Sequence, residues 1–194
     1  MNNSFIITPE YFMLPESRQL PKESGIEDRF KEAFNKVDSN FTLYKDDHSD
    51  GVLRYCVDGK VKFYGIQECK LSTNKKDTYH SRIIQAFAYV YTWIKMYPKS
   101  KDLFKVLVLP TDKVIDIIYI ENILKSAFWT QFCFYYDMHR SLGKGHSAST
   151  FYKESKDVRI LLIDYISRFN ASHYVIGREL DFKIVVNEIL SNCL

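Results

Sequence analysis

The chain has 194 residues, 46% of them hydrophobic, with only 7 Gly and 5 Pro, which excludes a tail or linker and allows one ordered domain with a sizeable core. Its 27 Lys and Arg against 24 Asp and Glu leave a net charge of +3, too mild to demand a polyanionic partner and not opposed to one. No segment reaches the length of a bilayer span, and MNNSFIITPEYFM lacks the basic start and long apolar stretch of a secretory signal, so the expected location is the cytoplasm, with no membrane partner.

One domain is expected over residues 1–194, with an N-terminal arm at 1–24, a motif-bearing core at 25–110 and a C-terminal extension of the same domain at 111–194. The arm holds three of the five Pro and is expected to be extended or irregular, with FIITPEYFMLP apolar enough to pack on the body. From Ser24, a candidate cap, Ile26, Phe30, Phe34 and Val37 recur at helical spacing, with Glu27 and Asp28 in the first turn where the helix dipole favours acids. Phe41 to Tyr44 reads as a short strand, followed by the acidic DDHSDG. Val52 to Val57 and Val61 to Lys70 then read as a hairpin turning at Asp58-Gly59. A helix is expected from Thr78 to Tyr97, stopped by Pro98, and a buried strand over Leu103 to Leu109. Val114 to Lys125 fits helix or strand, residues 127–137 (AFWTQFCFYYD) are aromatic and strand-like, and Val158 to Phe169 has helical spacing. Cys56, Cys69, Cys133 and Cys193 include no C-x-x-C pair, so zinc and disulfides are not expected and the thiols read as small buried hydrophobes.

Glu68-Cys69-Lys70 ends the second hairpin strand. Alternation along a strand sends Glu68 and Lys70 to one side and Cys69 to the core. The plain reading is a salt bridge on a solvated face. The other is a metal-dependent hydrolytic site, and it depends on register. If Asp58-Gly59 alone made the turn, Val57 would face Lys60 and Asp50 would face Gln67, on the wrong side of the sheet. A three-residue loop Asp58-Gly59-Lys60, or an equivalent one-residue bulge near Gly65, would set Asp50 opposite Glu68.

Helical Glu27, then Asp50-Gly51 opening a strand, then Glu68-Cys69-Lys70 closing the next resembles the PD-(D/E)XK nuclease superfamily over about Gly25 to Leu109. Gln85 and Tyr89 on the following helix fit the Q-x-x-x-Y element of its RecB-like branch, and their spacing of four puts both on one helix face. The resemblance implies an α/β fold with a restriction-endonuclease-like core, α-β-β-β-α-β, whose mixed central sheet is flanked by helices. It also implies Mg²⁺, with Mn²⁺ able to substitute, held by Asp50, Glu68 and the backbone carbonyl of Cys69, with Glu27 binding through water or to a second ion. Lys70 would orient the attacking water, and Gln85 and Tyr89 would position the scissile strand. The expected activity is a deoxyribonuclease, endonuclease favoured over exonuclease, in restriction, phage-related defence or DNA recombination and repair. DNA is the expected partner, with a homodimer or further subunits or domains of such a system allowed. The alternative is a catalytically silent protein of the same fold that binds nucleic acid or a protein partner. An intact acid, acid and lysine set argues against it.

Other signals are weaker. Asp46 and Asp47 with His48 lack EF-hand spacing, and Gly143-Lys144-Gly145 lacks the Walker pattern. Lys75, Lys76, Lys95, Lys99, Lys101, Lys105, His139, Arg140, Lys144 and His146 could neutralise phosphates or simply face solvent. The cysteine positions do not match those of iron–sulfur nucleases, so no cluster is expected.

Overall fold

A computed structural model describes residues 4–13, 22–46, 49–72, 79–143 and 147–194, with the side chains of residues 45, 46, 49 and 50 outside the description. Asp47, His48, Lys75, Lys76, Lys144, Gly145 and His146, considered above, lie outside the described residues. In the arm, the short strand β1 (Ile6–Ile7) precedes a 3₁₀ turn at Pro9–Phe12. Ile7 and Phe12 are buried, so the apolar stretch does pack on the body. Helix α1 (Glu23–Val37) starts at Glu23 with Lys22 at the cap position, two residues before the expected Ser24 cap. Its buried stripe is Ile26, Phe30, Ala33 and Phe34, the helical spacing read from sequence.

Strands β2 (Phe41–Asp46), β3 (Ser49–Val57) and β4 (Lys60–Gln67) follow, then helix α2 (Tyr79–Met96), a 3₁₀ segment at Pro98–Leu103 and strand β5 (Phe104–Pro110). Residues 25–110 thus run α-β-β-β-α-β. Beyond them come β6 (Val114–Tyr119), α3 (Ala127–Ser141), α4 (Ala148–Glu154), α5 (Lys156–Ile166), β7 (Asn170–Val175), β8 (Leu180–Asp181) and α6 (Phe182–Cys193). The protein is α/β, built on a six-stranded mixed sheet in the order β2-β3-β4-β5-β6-β7. Among the described residues only β4 and β5 pair in parallel, as a strand–helix–strand crossover through α2 requires. β1 pairs with β8 in a separate two-stranded ribbon, which ties the arm to the start of α6.

The 127–137 segment is a correction: it is helix α3, not a strand. Phe128, Phe132 and Tyr136 recur every four residues and bury on one face against Phe87 and Phe151. Aromatic residues favour strands locally, but Thr130 and Phe134, which a strand would put on the same side as Phe128, Phe132 and Tyr136, are exposed, and the packing decides for a helix. Val114 to Lys125 divides into strand β6 and a 3₁₀ turn at Ile123–Lys125. β7 and α6 have no counterpart in the sequence reading.

The continuous apolar run of β5 serves two cores, because alternate residues face opposite sides. Leu107 and Leu109 join Ile66 and Ile118 under α2, α3, α4 and α5. Val106 and Val108 join Leu53, Phe63, Cys69, Ile115 and Ile117 under α1, α6 and the arm. Gly65 is needed where β4 meets β5, since a Cβ there would lie 2.7 Å from Val106 Cγ1 and 3.0 Å from its backbone oxygen. Among the described residues no helix is long and apolar enough to cross a membrane.

Candidate active site

The hairpin sets the register of the site. Asp58 (φ 50°) and Gly59 (φ 71°) are both left-handed, the pair demanded by a two-residue type I′ turn. Val57 therefore pairs with Lys60, and the expected three-residue loop is corrected. A one-residue bulge nonetheless intervenes. Cys56 pairs with Val61 and Tyr55 with Phe63, leaving Lys62 extra, and the ladder continues to Gly51 opposite Gln67. Continued by one step, that register would set Asp50 opposite Glu68. The bulge is three residues nearer the turn than Gly65, where the irregularity instead lies towards β5 and leaves Lys105 extra.

Beyond Gln67 the chain stays beside β5, for Glu68 N donates to Val108 O at 3.0 Å and Lys70 N to Pro110 O at 3.1 Å. The following turn is held by Asp112, which accepts from Ser72 N (2.7 Å) and Ser72 Oγ (2.8 Å). Backbone and side-chain bonds thus anchor the triplet on both sides.

Glu68 is fully buried and Lys70 is 8% exposed. Lys70 Nζ lies 2.8 Å from Glu68 Oε1 and 3.4 Å from Oε2 of Glu23, at the first position of α1. This is a buried ion pair, not a salt bridge on a solvated face. Apolar pairs of similar volume often serve stability as well or better, so a buried ion pair is weak evidence of a purely stabilising role. The alternation argument holds for Cys69, which is fully buried on the other side, its Sγ 3.3 Å from Gln67 Nε2.

Glu27 is also buried and lies one turn along α1 from Glu23, on the same face. Helix α1 therefore carries two acids on one face, of which Glu23 meets Lys70. Glu23 was not singled out from sequence; its spacing of four from Glu27 was the available signal. Gln85, 4% exposed, donates through Nε2 to Ser81 Oγ at 2.9 Å and Ser81 O at 3.3 Å, so its amide is directed back along α2. Tyr89 is half-buried and packs against the apolar cluster under α2.

Three further polar residues went unnoticed in the sequence. Arg82, buried in α2, donates to Leu109 O at 2.7 Å and Asp116 Oδ2 at 3.1 Å, while Asp116 Oδ1 lies 2.6 Å from His173 Nδ1. Arg82 precedes Gln85 by three, a same-face spacing that could have flagged it. Asp116 and His173 carry no local signal, being joined only by the pairing of β6 with β7.

Hard oxygen donors are what Mg²⁺ takes, usually one or two carboxylates with retained waters. The buried Glu68 carboxylate is a donor of that chemical type. Among the described side chains no group of three or more His, Cys, Asp and Glu is gathered closely enough for a protein-only metal cage; Asp50 stands outside that set. Compared with models of known families, with curated proteins and with solved structures, the chain matches none.

Proposed function

We propose that the chain is a Mg²⁺-dependent nuclease of restriction-endonuclease-like fold, in the RecB-like manner, hydrolysing phosphodiester bonds of DNA. The observation that carries this reading is the buried Glu68–Lys70 pair, 2.8 Å apart, at the end of a strand whose register, shifted by the Lys62 bulge, would set Asp50 opposite Glu68 if continued by one residue. The element order of residues 25–110 supports it further.

Asp50 and Glu68, with the Cys69 carbonyl, would hold the ion, and Glu27 would bind it through water. Bound there, Mg²⁺ supplies charge neutralisation at the phosphate and acidifies a water. Lys70 orients the attacking water and stabilises the charge growing on it, a task for a fixed cation whose position is set by Pro110 and Glu23. Gln85 and Tyr89 lie on the face of α2 that would guide the scissile strand. Restriction, phage-related defence and recombination or repair are the settings this chemistry suits.

The test incubates wild type and Lys70→Ala, each checked for folding by circular dichroism, with linear and covalently closed circular DNA in Mg²⁺ and in chelator. Cleavage lost in chelator and in Lys70→Ala, with DNA binding kept, is the expected result, and cutting of the closed circle identifies an endonuclease. Cleavage indifferent to both removes the mechanism. DNA binding without cleavage under any condition favours the catalytically silent alternative.

A further inference from the structure

The row of residues that contains Glu68 continues across the sheet. Gln67 pairs with Val108 on β5, so Glu68 stands beside Leu109. Leu109 pairs with Asp116 on β6, and Asp116 with His173 on β7. Leu109 belongs to the core under α2, and directly paired neighbours share a face, so Asp116 and His173 lie on that face too. At about 4.8 Å between strands, His173 stands roughly 14 Å from Glu68 along the row.

Asp116 is 7% exposed and Arg82 6% exposed, so their pair is buried and electrically neutral. The side chain of His173 is 57% exposed, and its Nδ1 meets a carboxylate oxygen at 2.6 Å. A carboxylate only accepts, so Nδ1 carries a proton and Nε2 is the free end of the ring. Facing His173 are Asp116 from β6 and, through it, Arg82 and Tyr79 from α2. The reverse face of β7 meets Glu188 of α6 through Ser172 and Tyr174. With the imidazole protonated, the Arg82–Asp116–His173 relay carries one net positive charge at the surface. The Glu68, Lys70 and Glu23 group carries one net negative charge. The two ends of the row are thus complementary to an ion-binding centre at one end and a phosphate at the other.

We infer that His173 is a phosphate-positioning residue of the proposed nuclease, its Nε2–H donating to a backbone phosphate of the nucleic-acid strand a few nucleotides from the scissile bond. Asp116 and Arg82 hold the ring in place. Contacts of this kind fix register and orientation without reading sequence. The inference rests on the nuclease reading of the Glu68–Lys70 site.

The test measures binding of a fluorescein-labelled DNA duplex by anisotropy, in chelator, across a salt series at about pH 5.5 and about pH 8.5, which bracket the range in which imidazoles change charge. Wild type, His173→Gln and His173→Lys are compared. At the lower pH, His173→Gln is expected to flatten the slope of log affinity against log salt by about 0.9, the loss of one phosphate contact. At the higher pH it should match wild type. His173→Lys should keep the steeper slope at both. A His173→Gln slope equal to wild type at the lower pH overturns the inference, as does an equal loss at both pH values that Lys does not rescue. Wild type that neither binds nor cuts DNA removes the nuclease reading as well. Lys70-dependent cleavage with a salt slope indifferent to His173 removes this inference alone.

Discussion

Lys70 Nζ lies 2.8 Å from Glu68 Oε1 with the carboxylate wholly buried and the lysine nearly so, and each charge offsets the other's loss of water. Removing one partner takes away much of that offset in a medium that solvates charge poorly. Lys70→Ala or Glu68→Ala alone should therefore cost about 3–5 kcal/mol, whereas Glu68→Leu with Lys70→Met should fall within about 1 kcal/mol of wild type or exceed it. Urea unfolding of the four proteins checks this. Equal destabilisation in single and double variants would show that the two charges are not coupled.

The hairpin turn requires left-handed backbone at two successive positions, Asp58 and Gly59. Asp58→Gly should be neutral to stabilising, while Asp58→Val should cost about 1–2 kcal/mol because a β-branched side chain resists that conformation. Chemical denaturation midpoints report the difference. An Asp58→Val protein as stable as wild type would count against the two-residue turn.

At Gly65 the neighbouring strand β5 leaves no room for a side chain. An added Cβ would meet Val106 Cγ1 at 2.7 Å and the Val106 carbonyl oxygen at 3.0 Å, and a backbone atom in a sheet interior cannot step aside cheaply. Gly65→Ala should destabilise by about 1–3 kcal/mol. Because Glu68 lies three residues on, nuclease activity should fall with it if cleavage is found. A neutral Gly65→Ala in thermal melts would show that the strands can separate.

Glu188 accepts hydrogen bonds from Tyr119, Ser172 and Tyr174, fastening α6 to the sheet. Burial raises its pKa, but the three hydroxyl donors outweigh burial and hold it below the usual 4.5. Tyr174 is pushed up to about 12 by burial and then by Glu188, from a usual 10.0. A depressed carboxylate contributes stability present above its unfolded pKa and lost as pH falls through the folded one. A raised tyrosine contributes stability present below its unfolded pKa and lost as pH rises through the folded one. The stability difference between wild type and Glu188→Gln should thus be widest in the neutral range, shrink below 4.5 and shrink again from 10.0 towards about 12. Urea titrations over pH measure it, and a difference that stays flat would discount the cluster.

Much of residues 25–110 was legible because their signals are local. The Ile26, Phe30, Phe34 stripe, the Asp58-Gly59 turn and the apolar run of β5 each express a period or a backbone demand that neighbouring residues settle among themselves. Strand alternation alone also sent Cys69 to the core and brought Glu68 together with Lys70. The C-terminal portion was less legible. In α3 the aromatic residues favoured a strand locally, and only the packing of Phe128, Phe132 and Tyr136 on the core overrode that preference.

What the sequence by itself determined is the chemistry at hand and its likeness to a nuclease motif: two acids and a lysine, with Glu27, Gln85 and Tyr89 around them. What only the tertiary structure decided is which of these meet, and which unannounced residues join them. The Lys62 bulge, not a longer turn, shifts the register so that Gly51 faces Gln67, because a two-residue turn leaves one residue to be absorbed along the strands. Glu23 reaches Lys70 through the packing of α1. Arg82, Asp116 and His173 come together through α2, β6 and β7. Contacts across such sequence distances depend on how strands align and helices dock, and no local period encodes them.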